Sequence, residues 1–216
     1  MNEPDVMVYL MTGFLDSGKS QFLKFTLTQD YFQIDGTTLL ILCEEGEEEF
    51  DPLEMAKHGV KIIKIEDQEE LTEAFLNELN EKYSPERVVI EYNGMWKVSD
   101  FEALNLPEGW EIEQKLTTVD ASTFQMYLNN LKPLFVEMVR GAELVLFNRC
   151  TDIEPLAGYR RSVKVVSPQA EVIFEDEKGE IENIFGDDVP YDLNAPVIEI
   201  PREDYGCLLY TSDAAD

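Results

Sequence analysis

Val6-Met7-Val8-Tyr9-Leu10-Met11-Thr12-Gly13-Phe14-Leu15-Asp16-Ser17-Gly18-Lys19-Ser20-Gln21-Phe22 is the stretch on which the fold turns. It begins as an apolar run of strand type, passes through Gly13 and Gly18, and ends at Lys19-Ser20 ahead of a helical stretch. That helix is expected from about Ser20 to Thr28, with Phe22 and Phe25 on its apolar face. Gly13-x4-Gly18-Lys19-Ser20 satisfies the phosphate-loop pattern. Glycines let the main chain of such a loop, here including Asp16 and Ser17, turn its N–H groups inward around phosphate oxygens. Lys19 supplies a mobile cation for the outer phosphates, and the Ser20 hydroxyl is placed to ligate Mg²⁺. The helix that follows adds its positive N-terminal end.

Outward from this loop, short apolar runs alternate with amphipathic stretches, the pattern of a mostly parallel sheet with covering helices. Strands are predicted at Val6–Met11, Thr37–Leu42, Val60–Ile65, Arg87–Glu91, Lys115–Asp120, Glu143–Phe147 and Glu171–Phe174. An edge strand is added at Val197–Ile200, between Pro196 and Pro201. Leu71, Phe75, Leu79 and Tyr83 predict one helix over Asp67–Tyr83. Another starts at a Ser122 cap, runs to about Asn130, restarts at Pro133 and stops at Gly141. The fold class is therefore α/β, a three-layer P-loop NTPase domain.

Three further segments carry chemistry. Glu91-Tyr92-Asn93-Gly94 closes a predicted parallel strand, whose C-terminal end faces the ligand crevice of such sheets. Glu91 there is a candidate to hold Mg²⁺ through its water shell or to orient an attacking water, and Gly94 admits a terminal phosphate closely. Asn148-Arg149-Cys150-Thr151-Asp152 follows another strand. Asn148 suits the acceptor edge of a guanine, Arg149 can lie over the base, and Asp152 is the nearest carboxylate for its N1–H. Cys43-Glu44-Glu45-Gly46-Glu47-Glu48-Glu49-Phe50-Asp51 is the densest acidic run. It reads either as a Mg²⁺-sensing switch, with Glu44 and Asp51 as oxygen ligands, or as a solvated acidic loop. His58 reads as a surface residue on a short polar helix, and Arg160 and Arg161 as a solvated helix face.

Composition narrows the partners. The chain has 216 residues with 17 Lys+Arg against 45 Asp+Glu, a net charge of −28. Such a surface repels phosphate backbones and anionic lipid, so neither nucleic acid nor membrane is expected as a partner. The three cysteines show no CxxC spacing, which argues against a disulfide framework or a structural zinc site. No signal peptide or span-length apolar run is visible, so a cytoplasmic protein is expected. Residues 1–206 read as one domain. Residues 207–216 have no pattern relation to the rest and resemble the translation of a sequencing adapter read through in frame.

Taken in order, these motifs resemble the CobW-type GTPases, P-loop proteins linked to metallochaperone and cofactor-insertion roles. The resemblance covers about residues 6 to 175. The family's GFLGSGKT loop appears as GFLDSGKS, its Asn-Glu-Phe-Gly switch as Cys43-Glu44-Glu45-Gly46, and its ExxG as Glu91 to Gly94. Its Val-Asp-Ala strand end is Val119-Asp120-Ala121, and its Asn-Lys-x-Asp begins at Asn148. Three departures stand out. The family's CxCC metal motif has no counterpart in Ile62–Glu69, the carboxylate of Asn-Lys-x-Asp falls one residue late at Asp152, and Cys43 replaces the switch asparagine. Segments such as CEEGEEE and EYNGMW look like a divergent branch whose longer members carry a C-terminal domain. The resemblance implies Mg²⁺-dependent GTP binding with slow hydrolysis, Lys19 and Glu91 as catalytic residues, and a client metalloprotein as partner; any transition metal stays open. A small-molecule kinase and a nucleotide-gated module that scarcely hydrolyses remain the alternatives.

Overall fold

The structure is a computed structural model that describes residues 5–44, 46, 50–151 and 156–175. All of these belong to one unit, Met1–Ile184. The expected strand at Val197–Ile200, the 207–216 tail and Asp152 lie outside the described residues.

Seven parallel strands form one sheet: β1 Val6–Thr12, β2 Thr38–Leu42, β3 Val60–Lys64, β4 Arg87–Glu91, β5 Trp110–Asp120, β6 Leu144–Asn148 and β7 Glu171–Phe174. Their order is β3-β2-β4-β1-β5-β6-β7. From β1 the chain runs outward to β2 and β3, returns to β4 beside β1, then crosses to β5 on the other side. Direction reverses around β1, which makes its C-terminal end the switch point where such sheets bind ligands. Registers bring the tips together there: Met11 and Leu42 both pair with Glu91, Thr12 with Thr117, and Asp120 with Asn148.

Seven α-helices link the strands among the described residues: α1 Lys19–Leu27, α2 Pro52–Lys57, α3 Glu73–Tyr83, α4 Val98–Glu102, α5 Phe124–Asn130, α6 Lys132–Val139 and α7 Leu156–Val166. Right-handed crossovers put α1 and α2 on one face and the others on the opposite face. The packing agrees. Leu23 and Leu27 of α1 and Met55 of α2 bury against Met11, Leu40, Leu42, Val60 and Val89. On the other face Phe124, Phe135, Phe147, Tyr159 and Phe174 form an aromatic cluster, with ring centroids 4.5–5.6 Å apart.

Four expectations need correction. The single helix predicted over Asp67–Tyr83 is two pieces. Asp67 and Glu70 close a capping box around a 3₁₀ turn at Gln68–Glu70, and Leu71 leaves helical geometry. Thr72 then caps α3, its side chain accepting from Phe75 N–H at 3.2 Å. Two strong N-caps in series restart the chain, so Leu76 and Leu79 are the residues α3 buries. The expected Ser122 cap is different too. Thr123 precedes α5, while Ser122 donates from both N–H and Oγ to Asp120 Oδ1. Strand β5 also begins five residues before its expected start, because its first half, Trp110-Glu111-Ile112-Glu113-Gln114, is largely solvent-facing and carries a bulge opposite Val8 and Tyr9. Arg160, read as solvated, is half-buried. It donates to the Val172 carbonyl at 3.2 Å and lies over the Phe174 ring.

Candidate nucleotide site

The loop between β1 and α1 is built by residues that tolerate unusual backbone. Gly18 sits at the helix N-cap in the left-handed region, φ 89°, and a Cβ there would lie 2.4 Å from Asn148 Nδ2. Asp16 also has positive φ, 58°. Ser17 Oγ is 2.9 Å from Thr118 Oγ1 at the end of β5. Phe14, buried, stacks on Tyr127 of α5 with centroids 4.2 Å apart and planes 9° apart. The loop is thus tied to β5, β6 and α5.

Lys19 is 2% exposed and fully engaged. Its Nζ donates to the carbonyls of Gly13 at 3.1 Å and Phe14 at 2.9 Å, and pairs with Glu44 Oε1 at 2.7 Å. Glu44 Oε2 accepts from Gly94 N–H at 3.0 Å. Ser20 Oγ donates to Glu91 Oε1 at 2.6 Å. Glu91 is 1% exposed and its second oxygen, Oε2, is buried without a partner. Burial drives the Glu91 carboxyl up to about 7, with Glu44 adding to the rise and the Ser20 bond and Lys19 opposing it. Cys43 lies beneath, a buried thiol pushed far up by desolvation and by Glu91 and Glu44.

On the other flank, Asn148 Nδ2 donates to the Ser17 carbonyl at 2.7 Å, and its Oδ1 is buried without a partner. Arg149, at φ 53°, donates to the Asp16 carbonyl at 3.0 Å and pairs with Asp120. Burial works to raise the Asp120 carboxyl, but bonds from Ser122 and Arg149 outweigh it and hold it low. A cavity of about 610 Å³ opens beside Gly18, Gln21, Asn148 and Arg149 and runs beneath α1 over apolar Leu116 and Leu146.

The structure therefore gathers Gly13, Asp16, Ser17, Gly18, Lys19, Ser20, Glu44, Glu91, Gly94, Asn148 and Arg149 around the strand tips. Asp51 has a structural task. Its Oδ1 caps α2, accepting from Leu53 N–H at 2.8 Å. His58 is the C-cap of α2. Among the described residues no group of three His, Cys, Asp or Glu side chains is arranged to hold a metal ion. Nor is any described helix long and apolar enough to cross a membrane. Thr118 and Asn93 are structural members of the site that sequence reasoning missed. Asn93 Nδ2 donates to the Cys43 carbonyl at 3.0 Å, and its place inside Glu91–Gly94 was the available signal.

A glycine-built loop from a central parallel strand to a helix, at the sheet's switch point, defines a P-loop nucleotide-binding protein. Residues 7–174 match the model of the CobW/HypB/UreG nucleotide-binding domain, and the chain belongs to that family. No curated protein matches it in sequence. Its fold is similar to the hydrogenase maturation factor HypB from Archaeoglobus fulgidus, with TM-score 0.55 and 15% identity over 82% of this chain and 84% of that one. It is likewise similar to the Zn(II)-bound YjiA GTPase from E. coli, with TM-score 0.58 and 21% identity over 80% of this chain and 57% of that one. HypB from Helicobacter pylori in complex with nickel gives TM-score 0.54 and 14% identity over 81% and 80%.

Proposed function

We propose that this domain binds GTP with Mg²⁺, hydrolyses it slowly, and uses the cycle to act on a client metalloprotein in the cytoplasm. The observation that carries the reading is Ser20 Oγ on Glu91 Oε1 at 2.6 Å, with Glu91 Oε2 buried and unpartnered beside Lys19. A buried carboxylate oxygen without a donor is costly unless a cation or proton completes it. Ser20 and Glu91 are hard oxygen donors and fit Mg²⁺. They would hold it, Glu91 directly or through water, and Mg²⁺ would neutralise charge on the outer phosphates. Lys19 would stabilise charge on the transferred phosphoryl group, and the loop N–H groups would position the chain of phosphates.

Asn148 supports guanine as the base. Its Nδ2 carries two N–H donors, of which the Ser17 carbonyl takes one, and the second is the group that would meet the acceptor edge of the base at the rim of the cavity. The client reading rests on the family alone. HypB is by its name a hydrogenase maturation factor, and the likeness offers the same class of role here.

Titration with a fluorescent GTP analogue tests the site. Lys19→Ala should weaken binding by about 2 kcal/mol or more, the scale of a lost charge-assisted contact. Equal affinity in both proteins would remove the phosphate-loop reading, and competition by ATP as strong as by GTP would remove guanine selection. Single-turnover hydrolysis with and without Mg²⁺ separates a GTPase from a module that only binds.

A further inference from the structure

We infer that Glu44 is the chain's own occupant of the terminal-phosphate position, so that the nucleotide-free loop is plugged and a triphosphate must displace the plug. The inference rests on the phosphate-loop reading and concerns how that site selects its ligand. The lysine ammonium of a phosphate loop serves the outer phosphates, and Gly94 N–H, just past the tip of β4, points into the same space. Here one carboxylate bridges both, with Oε1 2.7 Å from Lys19 Nζ and Oε2 3.0 Å from Gly94 N. The side chains involved are sealed from water, Lys19 1% and Glu44 7% exposed. Two anionic oxygens spanning a cation and an amide do here what two oxygens of a phosphoryl group would do in a nucleotide complex.

The donors of Lys19 sharpen the point. An ammonium has three N–H bonds, and Gly13 O, Phe14 O and Glu44 Oε1 accept all of them. None is left for a phosphate while Glu44 stays. Nor can a terminal phosphate share the space, because two anions would face each other in a buried setting. The main chain beneath Glu44 is fixed: Cys43 N–H donates to Glu91 O at 3.0 Å, and Cys43 O accepts from Asn93. Displacement therefore falls on the Glu44 side chain. A diphosphate competes at most for Lys19 and leaves Gly94 N–H to Glu44, whereas a triphosphate takes both. Glu44 thus weakens binding of both ligands and penalises the triphosphate more.

The test measures affinities of GDP and a non-hydrolysable GTP analogue, each with Mg²⁺, for wild type, Glu44→Gln and Glu44→Ala. Glu44→Gln keeps the size of the side chain and guards against a folding defect in the smaller variant. The analogue-to-GDP affinity ratio should rise about tenfold in both variants, the loss of one modest competing ion pair. An unchanged ratio overturns the inference while leaving the nucleotide site intact. Weaker analogue binding in both variants overturns it by making Glu44 a ligand of the nucleotide or its cation. Failure of wild type to bind either nucleotide removes the phosphate-loop reading and this inference with it.

Discussion

Glu91 is the residue whose chemistry most depends on what fills the site. Its folded-state carboxyl titrates at about 7 against 4.5 when solvated, chiefly because burial disfavours its charge. A folded pKa above the unfolded one means that the folded state binds the proton more tightly. The contribution is fully present below 4.5 and is lost as pH rises through about 7. At roughly 1.4 kcal/mol per unit this amounts to about 3 kcal/mol. The nucleotide-free protein should therefore lose stability relative to Glu91→Gln between about pH 5 and pH 8, since glutamine still accepts from Ser20 but carries no charge. Urea midpoints of both proteins across that range check it. Parallel curves would mean that Glu91 ionises freely at the tip of β4. Among single residues the sequence was legible where the backbone dictates identity, as at Gly13 and Gly18. It was not legible where partners lie far along the chain. Glu44 reaches Gly94 across fifty positions and Asn148 reaches Ser17 across 131, and no local pattern carries such pairings.

Between elements, the close approach of the β4 tip to the phosphate loop is the contact that sets the site. Gly94 packs so tightly that a Cβ would stand 2.6 Å from Gly13 O, 2.7 Å from Leu15 N and 2.7 Å from Phe14 C. Those are main-chain atoms, and Phe14 beneath them is held by its stack on Tyr127. The loop cannot yield without disturbing α5. Gly94→Ala should then cost about 1–3 kcal/mol of stability, the usual penalty of forced overpacking. Triphosphate affinity should fall in parallel, because the Gly13–Phe14 carbonyls that seat Lys19 would move. Thermal unfolding and nucleotide titration of this variant supply the check; native values in both would show that the β4–loop contact is slack. Elements themselves were readable when buried on both faces. β2 and β4 are wholly buried, and their Val/Ile/Leu runs gave their ends to within a residue. The first half of β5 was not readable, since pairing with β1 rather than hydropathy makes it a strand. The break at Leu71 was hidden for a related reason. Periodicity registers apolar spacing and is blind to a second cap at Thr72.

At the scale of the whole molecule, the sheet order follows from one local fact and one general rule. A phosphate loop fixes β1 at the switch point, and right-handed crossovers then limit where its neighbours go. Charge is the other global property, and its consequence is physical rather than topological. A net charge of −28 on 216 residues means that compact states are opposed by self-repulsion. Few ion pairs relieve it among the described residues: Lys19–Glu44, Lys115–Glu102 and Arg149–Asp120. Screening length shrinks from about 30 Å at 0.01 M salt to about 10 Å at 0.1 M, from the scale of the domain to that of neighbouring side chains. Relief of repulsion worth about 1–2 kcal/mol should raise Tm by several degrees over that range, at about 2–4 °C per kcal/mol for a chain of this size. The three ion pairs pull the other way, but two involve partly exposed groups that water already weakens, so net repulsion wins. Thermal scans in NaCl from about 10 mM to about 100 mM decide the matter. A Tm that falls with salt would show that specific pairs such as Lys19–Glu44, rather than the acidic surface, govern stability of the nucleotide-free protein.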